Sequence, residues 1–419
     1  MATETTPATG AGPADDGVRA PLRGIRVLDF CAIYAGPFAC STLGMLGADV
    51  IRIESAARLE QLRNNRSSPP ADWPSKNAPG FHVLNHNKRG VTLNLREPRA
   101  IELIKRLVGV SDVVIENFRP GVMQKLGLGY DALREVNPRI IMTSMAAMGD
   151  SGPEREYGAL ATTFSALAGL SHMTGYADGA PTEYRGSSDF RSGFIGVFAT
   201  LAAIYHRQRT GQGTRIDLAA RDALASLIGD TLMDYSMNGR VGHRDGNRSA
   251  SMAPHGVYRC AGDDHWVSIA VAAEDEWQRL CAASGQPALA EDARFSDLAS
   301  RLANREALDA ILTEWTSTRA DYEVMRVLQG ARVAAMPSMR SDQIIDDPHL
   351  EARAFIQRLR HDLVGPITLM NVPWKMSASP GYPPRPGPML GEHNRDVLGG
   401  LLGLSDAAIE ALAAEKVIF

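Results

Sequence analysis

An aspartate at the predicted start of an apolar helix is the residue of this chain best placed to do chemistry. Asp189 stands in the run Ser188–Gly193, and after it apolar residues recur at helical spacing. Gly211 and Gly213 end that run. A carboxylate at a helix start lies near unpaired backbone N–H groups and the positive end of the helix dipole, which favour its ionised form. The pattern therefore fits two compatible roles, a helix cap and a catalytic carboxylate.

The segments around this helix alternate between β-rich and helical patterns. Six β-rich runs are predicted to be strands: 24–30, 49–54, 90–95, 112–118, 139–144 and 214–218. Helical stretches separate them, at 35–46, at 98–108 and after Asp189, and another follows at 222–237. This alternation predicts an α/β domain with a parallel sheet. The turn after the first strand lacks Gly-x-Gly-x-x-Gly, so a dinucleotide site is not supported.

A second, smaller domain is predicted from the length and from a change of pattern. The 419 residues exceed one ordinary core. Two β-rich runs, 256–260 and 266–270, form a predicted antiparallel pair, and helical patterns follow it. We therefore expect four segments: a disordered leader (1–20), the first part of a large domain (21–243), a small α+β domain (244–328), and a linker with the C-terminal part of the large domain (329–419).

The composition excludes several classes of function. A net charge of −4, from 44 basic and 48 acidic residues, argues against nucleic acid or an anionic membrane as the main partner. The uncharged span 157–177 contains polar residues and breaks at Thr174–Gly175, which predicts a buried helix and not a membrane helix. The four cysteines lack metal-ligand spacing. They predict buried free thiols in the reducing cytoplasm, with no metal site.

Basic residues cluster around the first predicted strands and the loops that follow them: Lys88, Arg89, Arg96, Arg119 and Lys125. Most surface Lys and Arg residues are solvated charges. The same cluster also fits a basic rim that binds a phosphate-bearing ligand through charge-assisted hydrogen bonds. The sequence pattern leaves both interpretations open.

Longer motifs occur in order from Pro21 to the C-terminal region: Pro21–Phe30, Ala35–Pro37, Leu46–Glu54, Asn85–Arg89, Asp112–Gly121, Leu126–Tyr130, His206–Gly213 and Leu390–His393. In content and order they resemble the class III CoA-transferase family, which includes formyl-CoA transferase, carnitine CoA-transferase and α-methylacyl-CoA racemase. The resemblance implies an α/β fold with a Rossmann-like large domain and a small α+β domain. It also implies that two chains are threaded through each other as an interlocked homodimer.

The resemblance further implies an activity and its chemistry. CoA moves from an acyl-CoA donor to a carboxylic acid acceptor, through an acyl-aspartyl anhydride and an aspartyl-CoA thioester, so that one hard exchange becomes several easier ones. CoA and acyl-CoA are then substrates, and no cofactor is bound permanently. No nucleic acid or membrane is implied as a partner.

Matched position by position, the resemblance makes Asp189 the catalytic aspartate. Ile33, Tyr34 and Ala35 match positions that line the thioester end of CoA. Further positions, around the nucleotide and pantetheine of CoA, are matched by Leu93, Arg96, Asn117, Phe118, Val122 and Lys125.

Departures from the family pattern narrow the activity. Racemases of the family pair the aspartate with a His in a Gly-His-Asp-like stretch, where this chain has Gly158–Ala161 and no side chain that takes a proton. His172, further along, is predicted to be a core histidine. An acyl-CoA racemase or epimerase is therefore the disfavoured alternative, and a non-catalytic CoA-binding homologue is the third possibility.

The acyl group is less constrained by the sequence. The glycine-rich loop of formyl-CoA transferase is absent, so a formyl or oxalate specificity is not indicated. Three residues would allow a larger and more apolar acyl pocket, although core packing explains them equally well: Met148, Tyr184 and Phe190.

Overall fold

The computed structural model describes residues 20–63, 79–183, 187–361, 364–379 and 381–419. The predicted leader lies outside these ranges except for Ala20, and so does Tyr184. The chain forms two compact units. Among the described residues, the larger comprises the chain up to Ser171, Glu183–Val241 and His349–Phe419, and the smaller comprises His172–Thr182 and Gly242–Pro348.

A six-stranded sheet is the centre of the larger unit, and all its strands are parallel. Its strands are β1 (Arg26–Asp29), β2 (Asp49–Glu54), β3 (Lys88–Thr92), β4 (Val113–Glu116), β5 (Ile141–Ala146) and β6 (Thr214–Ala219). They lie in the order β3-β2-β1-β4-β5-β6, so the direction of strand addition reverses between β1 and β4. The predicted α/β class with a central parallel sheet is confirmed.

Helices cover both faces of this sheet, as parallel sheets require. The helices of the larger unit up to residue 241 are α1 (Ala35–Met45), α2 (Pro79–Asn85), α3 (Pro98–Gly109), α4 (Val122–Lys125), α5 (Tyr130–Val136), α6 (Ala161–Leu167), α7 (Ser187–Thr210), α8 (Ala220–Ala225) and α9 (Gly229–Asn238). Alternate strand residues point to opposite faces: Leu28 and Ile51 enter one hydrophobic cluster, and Val27 and Val50 enter another. The C-terminal segment completes the first cluster with Val397, Leu398 and Leu412.

The smaller unit contains a three-stranded antiparallel sheet and four helices of six or more residues. Its elements are β7 (His255–Arg259), β8 (Trp266–Ala270), α10 (Glu274–Ala283), α11 (Leu298–Ala303), α12 (Arg305–Ser317), α13 (Asp321–Gly330), β9 (Ala334–Pro337) and α14 (Ser341–Ile345). The predicted antiparallel pairing of β7 with β8 is confirmed. The predicted boundary at residue 328 differs from the structure, because β9 pairs with β8 and Val333 and Ala335 are buried in the core of this unit.

The remaining elements lie toward the C-terminus. They are α15 (Pro348–Ala352), an antiparallel pair β10 (Ile356–His361) and β11 (Gly365–Met370), and α16 (Asp406–Ala414). None of the helices in the described residues is long and apolar enough to cross a membrane.

The predicted buried helix at 157–177 is wrong. Only α6 is helical there, Tyr157 is exposed, and the chain turns at Gly169, whose φ of 85° favours glycine. The predicted helix 222–237 is also interrupted, by a 3₁₀ turn at Ser226–Ile228 between α8 and α9. The absence of charged residues suggested a buried helix. However, the small and polar residues of 157–177 do not form the continuous apolar face that such a helix would need.

Helix α7 packs on the turn after β1 through small residues. The predicted apolar stripe is only partly buried, because Phe198 is 74% exposed while Val197 and Ile204 lie in the core. A Cβ atom at Gly193 would lie 2.9 Å from the carbonyl oxygen of Ala35, so a larger residue does not fit there without a shift. This close approach places the first turn of α7, which contains Asp189, beside the start of α1.

Candidate active site

A cavity of about 130 Å³ opens where the strand order reverses. Ligands of open α/β sheets bind at this place, outside the carboxyl ends of the strands. All the residues that line the cavity belong to the larger unit: Ile33, Tyr34, Ala35, Asn117, Met145, Ala147, Ala159, Leu160, Ala161, Phe164, Asp189, Ser192, Leu218 and Ala220. Apolar side chains make up most of this wall.

Several residues matched by family resemblance meet in this cavity, although they are far apart in the chain. Ile33, Tyr34 and Ala35 follow β1, Asn117 follows β4, and Asp189 lies in the first turn of α7. The cavity therefore combines the candidate catalytic carboxylate with the candidate thioester-binding turn.

The other matched residues do not line the cavity. Arg96 and Lys125 are exposed and form no salt bridge with a described residue, while Phe118 and Val122 are half-buried. These residues follow β3 and β4, at the same edge of the sheet as the cavity. Leu93 differs from the expectation: its side chain is fully buried in the hydrophobic core, so only its backbone carbonyl is left to contact a ligand.

The carboxyl group of Asp189 is held in an apolar setting. Burial, and then the negative charge of Glu183, raise its pKa to about 6. Its carboxylate accepts no hydrogen bond from a described residue, so the structure shows no capping bond. The expectation that the helix start favours the ionised form is therefore wrong in its net effect, because desolvation outweighs it.

Glu183 is a functional candidate that the sequence analysis missed. The hydroxyl of Ser188 donates a hydrogen bond to Glu183 Oε1 (2.8 Å). The other carboxylate oxygen of Glu183 is buried and has no hydrogen-bond partner among the described residues. The only sign of Glu183 in the sequence is that an acidic residue lies six positions before Asp189. This spacing alone did not show that the two charges would interact.

The turn after β1 leaves two backbone N–H groups open at the cavity. Tyr34 and Ala35 line the cavity, and their N–H groups donate no hydrogen bond to a described residue. Both polar atoms of the Asn117 amide already bind the backbone of the turn, because its Oδ1 accepts from the N–H of Ala32 and its Nδ2 donates to the carbonyl of Ala32, both at 2.8 Å. Open N–H groups at a helix start bind anions and oxyanions.

Two of the predicted acyl-pocket residues, Met148 and Phe190, do not line the cavity themselves but pack against residues that do. The third, Tyr184, lies outside the described residues. Phe190 packs edge-on against Phe38, with ring centroids 4.8 Å apart, and Met148 packs in the cluster around Phe164. The cavity wall instead contains Ala159, Leu160 and Ala161, the stretch where a racemase would carry its His. His172 is exposed, so its predicted core position is wrong.

One group of side chains has the spacing of metal ligands in the described part of the chain. The ligand atoms of Asp29, Cys31 and Cys40 lie within 4.8 Å of one another. The Asp29 carboxylate already binds Lys88 Nζ at 2.8 Å and lies 3.4 Å from Arg52 Nη1. A metal ion would have to compete with both cations, so this group is better described as the end of a buried ion-pair network.

Comparisons with known proteins show which family and which solved structures the chain is similar to. A family model described as CoA-transferase family III matches residues 22–394. Succinyl-CoA–D-citramalate CoA-transferase of Chloroflexus aurantiacus is 32% identical, over 95% of this chain and 98% of the relative. Succinyl-CoA:mesaconate CoA-transferase of Haloarcula marismortui is 36% identical, over 90% and 95%. The crystal structure of a CaiB/BaiF family protein from Brucella suis matches with a TM-score of 0.83 and 30% identity, over 91% and 100%.

The raised pKa of Asp189 predicts a pH-dependent effect of Asp189→Asn on stability. The unfolded carboxyl releases its proton near pH 3.8 and the folded one near pH 6, so rising pH between these values favours the unfolded chain. The isosteric amide of Asn cannot ionise, so it removes the free-energy cost of burying a charged carboxylate. The variant should match the wild type near pH 4 and exceed it above pH 6, by at most about 3 kcal/mol before solvent screening is allowed for.

Urea unfolding of both proteins across this pH range measures the effect. Asp131→Asn, in the exposed first turn of α5, controls for the loss of a carboxylate at a helix start. A difference between wild type and Asp189→Asn that stays constant from pH 4 to pH 7 would contradict the assignment of a raised pKa to Asp189.

Proposed function

Because the chain belongs to CoA-transferase family III, we propose that it moves CoA from an acyl-CoA donor to a carboxylic acid acceptor, with Asp189 as the nucleophile. One observation carries the proposal: Asp189 lines the same apolar cavity as Tyr34 and Ala35, whose backbone N–H groups donate no hydrogen bond to a described residue. A nucleophile and a pair of oxyanion donors are the groups that acyl transfer needs.

The first half of the reaction consumes the donor. An oxygen of the Asp189 carboxylate attacks the thioester carbonyl carbon, and the N–H groups of Tyr34 and Ala35 stabilise the resulting oxyanion. The C–S bond then breaks, which gives an acyl-aspartyl anhydride and CoA thiolate. A carboxylate whose pKa is about 6 is ionised at neutral pH. Because it accepts no hydrogen bond from a described residue, it is a better nucleophile than a solvated aspartate.

The second half passes CoA to the acceptor. The thiolate attacks the Asp189 carbonyl carbon, the donor acid leaves as a carboxylate, and an aspartyl-CoA thioester forms. The acceptor carboxylate reverses these steps and leaves with CoA, which restores the Asp189 carboxylate. Each step exchanges one anionic nucleophile for another, so no proton has to move, and a wall with no acid or base at Ala159–Ala161 suits this chemistry.

We place the remainder of CoA along the edge of the sheet that carries the cavity. The exposed side chains of Arg96, Arg119 and Lys125 supply positive charge for the phosphates. Arg119 extends to the segment that precedes the cavity wall, since a Cβ atom on Gly158, next to the lining residue Ala159, would lie 2.8 Å from its Nη2. Phe118 and Val122 are half-buried and offer apolar surface to the pantetheine.

Asp189→Asn should lower CoA transfer by roughly 10³-fold or more, because the amide cannot form the anhydride. The assay incubates succinyl-CoA and a panel of other acyl-CoAs with carboxylic acids and follows new thioesters by chromatography. Asp131→Asn, at an exposed position, should transfer at the wild-type rate. An Asp189→Asn protein that transfers CoA normally would refute the proposal.

The same assay, run in deuterated water with a 2-methylacyl-CoA and no acceptor, separates transferase from racemase. Thioester exchange leaves the α-hydrogen in place, whereas racemisation removes it and returns one from solvent. We expect no deuterium at the α-carbon on the timescale of turnover. Deuterium uptake at a catalytic rate would favour the racemase.

We also propose that the protein is a homodimer in the cytoplasm, interlocked as the family resemblance implies. The larger unit exposes many large apolar side chains on α7, α9 and the segment around them, more than a monomer usually shows to water: Phe194, Phe198, Tyr205, Leu227, Leu232, Met233, Tyr235, Met237 and Val241. A second copy would cover this surface. The four cysteines are free and buried, which suits a reducing compartment.

Light scattering at micromolar concentration should give twice the mass of the chain. Phe198→Glu places a charge in the middle of the exposed apolar surface and should weaken the dimer. Val110→Glu, an exposed apolar residue outside that surface, is the matched control and should leave the mass unchanged. A folded wild-type monomer at this concentration would contradict the proposal.

A further inference from the structure

In the turn after β1, every backbone N–H and carbonyl group from the N–H of Cys31 to the N–H of Ile33 forms a hydrogen bond with a side chain. The N–H of Cys31 donates to Asp29 Oδ1 (2.8 Å), and the carbonyl of Cys31 accepts from Arg52 Nη1 (3.1 Å). Asn117 binds both polar groups of Ala32, as described above. The N–H of Ile33 donates to Glu60 Oε1 (3.1 Å). The next two N–H groups are the open ones at the cavity.

Ile33 pays a conformational cost at this position. Its φ is 70°, in the left-handed region that glycine prefers and that a β-branched residue rarely adopts. Such a residue persists only where its surroundings hold it, and strained positions of this kind concentrate at functional sites. Because Ile33 directly precedes Tyr34, its backbone angles set the direction in which the N–H groups of Tyr34 and Ala35 point.

Glu60 comes from the loop after β2 and belongs to a buried ionic network. Its second oxygen, Oε2, is buried without a hydrogen-bond partner among the described residues and lies 4.0 Å from Arg52 Nη2. Arg52 in turn lies near Asp29, whose carboxylate binds Lys88 Nζ. Lys88 Nζ also donates to the carbonyl of Pro37 in α1 (2.9 Å). The network thus contacts the turn through Arg52 and Glu60, and it contacts the first turn of α1 through Lys88.

We propose that Glu60 is a positioning residue for the reaction: by accepting the N–H of Ile33 it keeps Ile33 left-handed, so that the N–H groups of Tyr34 and Ala35 face the reacting carbonyl. This inference rests on the proposed transferase function. Glu60 does not line the cavity, so it acts on the substrate only through the turn. A role limited to neutralising Arg52 is the alternative, and it makes different predictions.

The decisive experiment compares three variants by steady-state kinetics. Glu60→Met keeps the length of the side chain but accepts no hydrogen bond. It should lower kcat by about fivefold to thirtyfold, because fewer molecules would hold Ile33 in its strained left-handed conformation. The KM for acyl-CoA should change little. Glu60→Gln keeps an acceptor oxygen and should retain wild-type kcat. Ile33→Gly in the Glu60→Met background should restore kcat, because glycine adopts the left-handed conformation without the steric cost.

Ala354→Gly in the Glu60→Met background is the matched control, since Ala354 also has a positive φ (53°) but lies away from the cavity. It should restore nothing. If Glu60→Gln loses as much kcat as Glu60→Met, or if Ile33→Gly fails to rescue, Glu60 acts through its charge on Arg52 and the inference is wrong.

Hydrogen exchange read by mass spectrometry tests the contact in the full chain without turnover. The peptide that contains Ile33 should exchange faster in Glu60→Met than in wild type and at the wild-type rate in Glu60→Gln. Unchanged exchange in Glu60→Met would overturn the inference even if the variant is inactive. If the wild type transfers CoA from no acyl-CoA, the proposed function fails, while this exchange pattern still decides whether Glu60 holds the turn.

Discussion

Helix α7 lies so close to the turn after β1 that one added carbon atom would not fit between them. Gly193 faces the carbonyl oxygen of Ala35, and this contact sets where the first turn of α7 can lie. Asp189 and the open N–H groups of Tyr34 and Ala35 therefore share one cavity, although more than 150 residues separate them in the chain. Positioning of this kind supplies much of the rate gain in acyl transfer, because the reacting groups need not find each other.

Two electrostatic environments meet across this contact. On the α7 side, burial and then the charge of Glu183 make ionisation of Asp189 costly and raise its pKa to about 6. On the β1 side, buried charges are paired: burial alone would raise the pKa of Asp29, but Lys88 and Arg52 outweigh it and hold that pKa below its usual value. The paired network is expected to make the turn rigid, and the Asp189 carboxylate, which accepts no hydrogen bond from a described residue, is the proposed nucleophile.

The sheet could be predicted from the sequence, because β-rich runs between helical ones are a local pattern. The same kind of pattern placed Asp189 at the start of an apolar helix, where the structure has it, while its catalytic role stays a prediction. The prediction failed at 157–177, where absence of charge indicated a buried helix but the side chains that pack are too small to form its face. Glu60 and Glu183 were missed for different reasons. The hydrogen bond of Glu60 joins it to Ile33, 27 positions away, and no sequence pattern indicates that contact. Glu183 is close to Asp189 in the sequence, but its charge affects the pKa of Asp189 through burial and proximity that only the fold shows.

Labelling with heavy oxygen tests whether Asp189 becomes covalently bonded in every turnover. When the acceptor carboxylate carries heavy oxygen, its attack on the aspartyl-CoA thioester leaves one labelled oxygen in the Asp189 carboxylate once CoA has departed with the acceptor. Trypsin releases residues 186–191, a peptide whose one acidic side chain is Asp189. We expect this peptide to gain the mass of one heavy oxygen after a single turnover. Product formed with no label in the peptide would mean that CoA passes between donor and acceptor without bonding to Asp189.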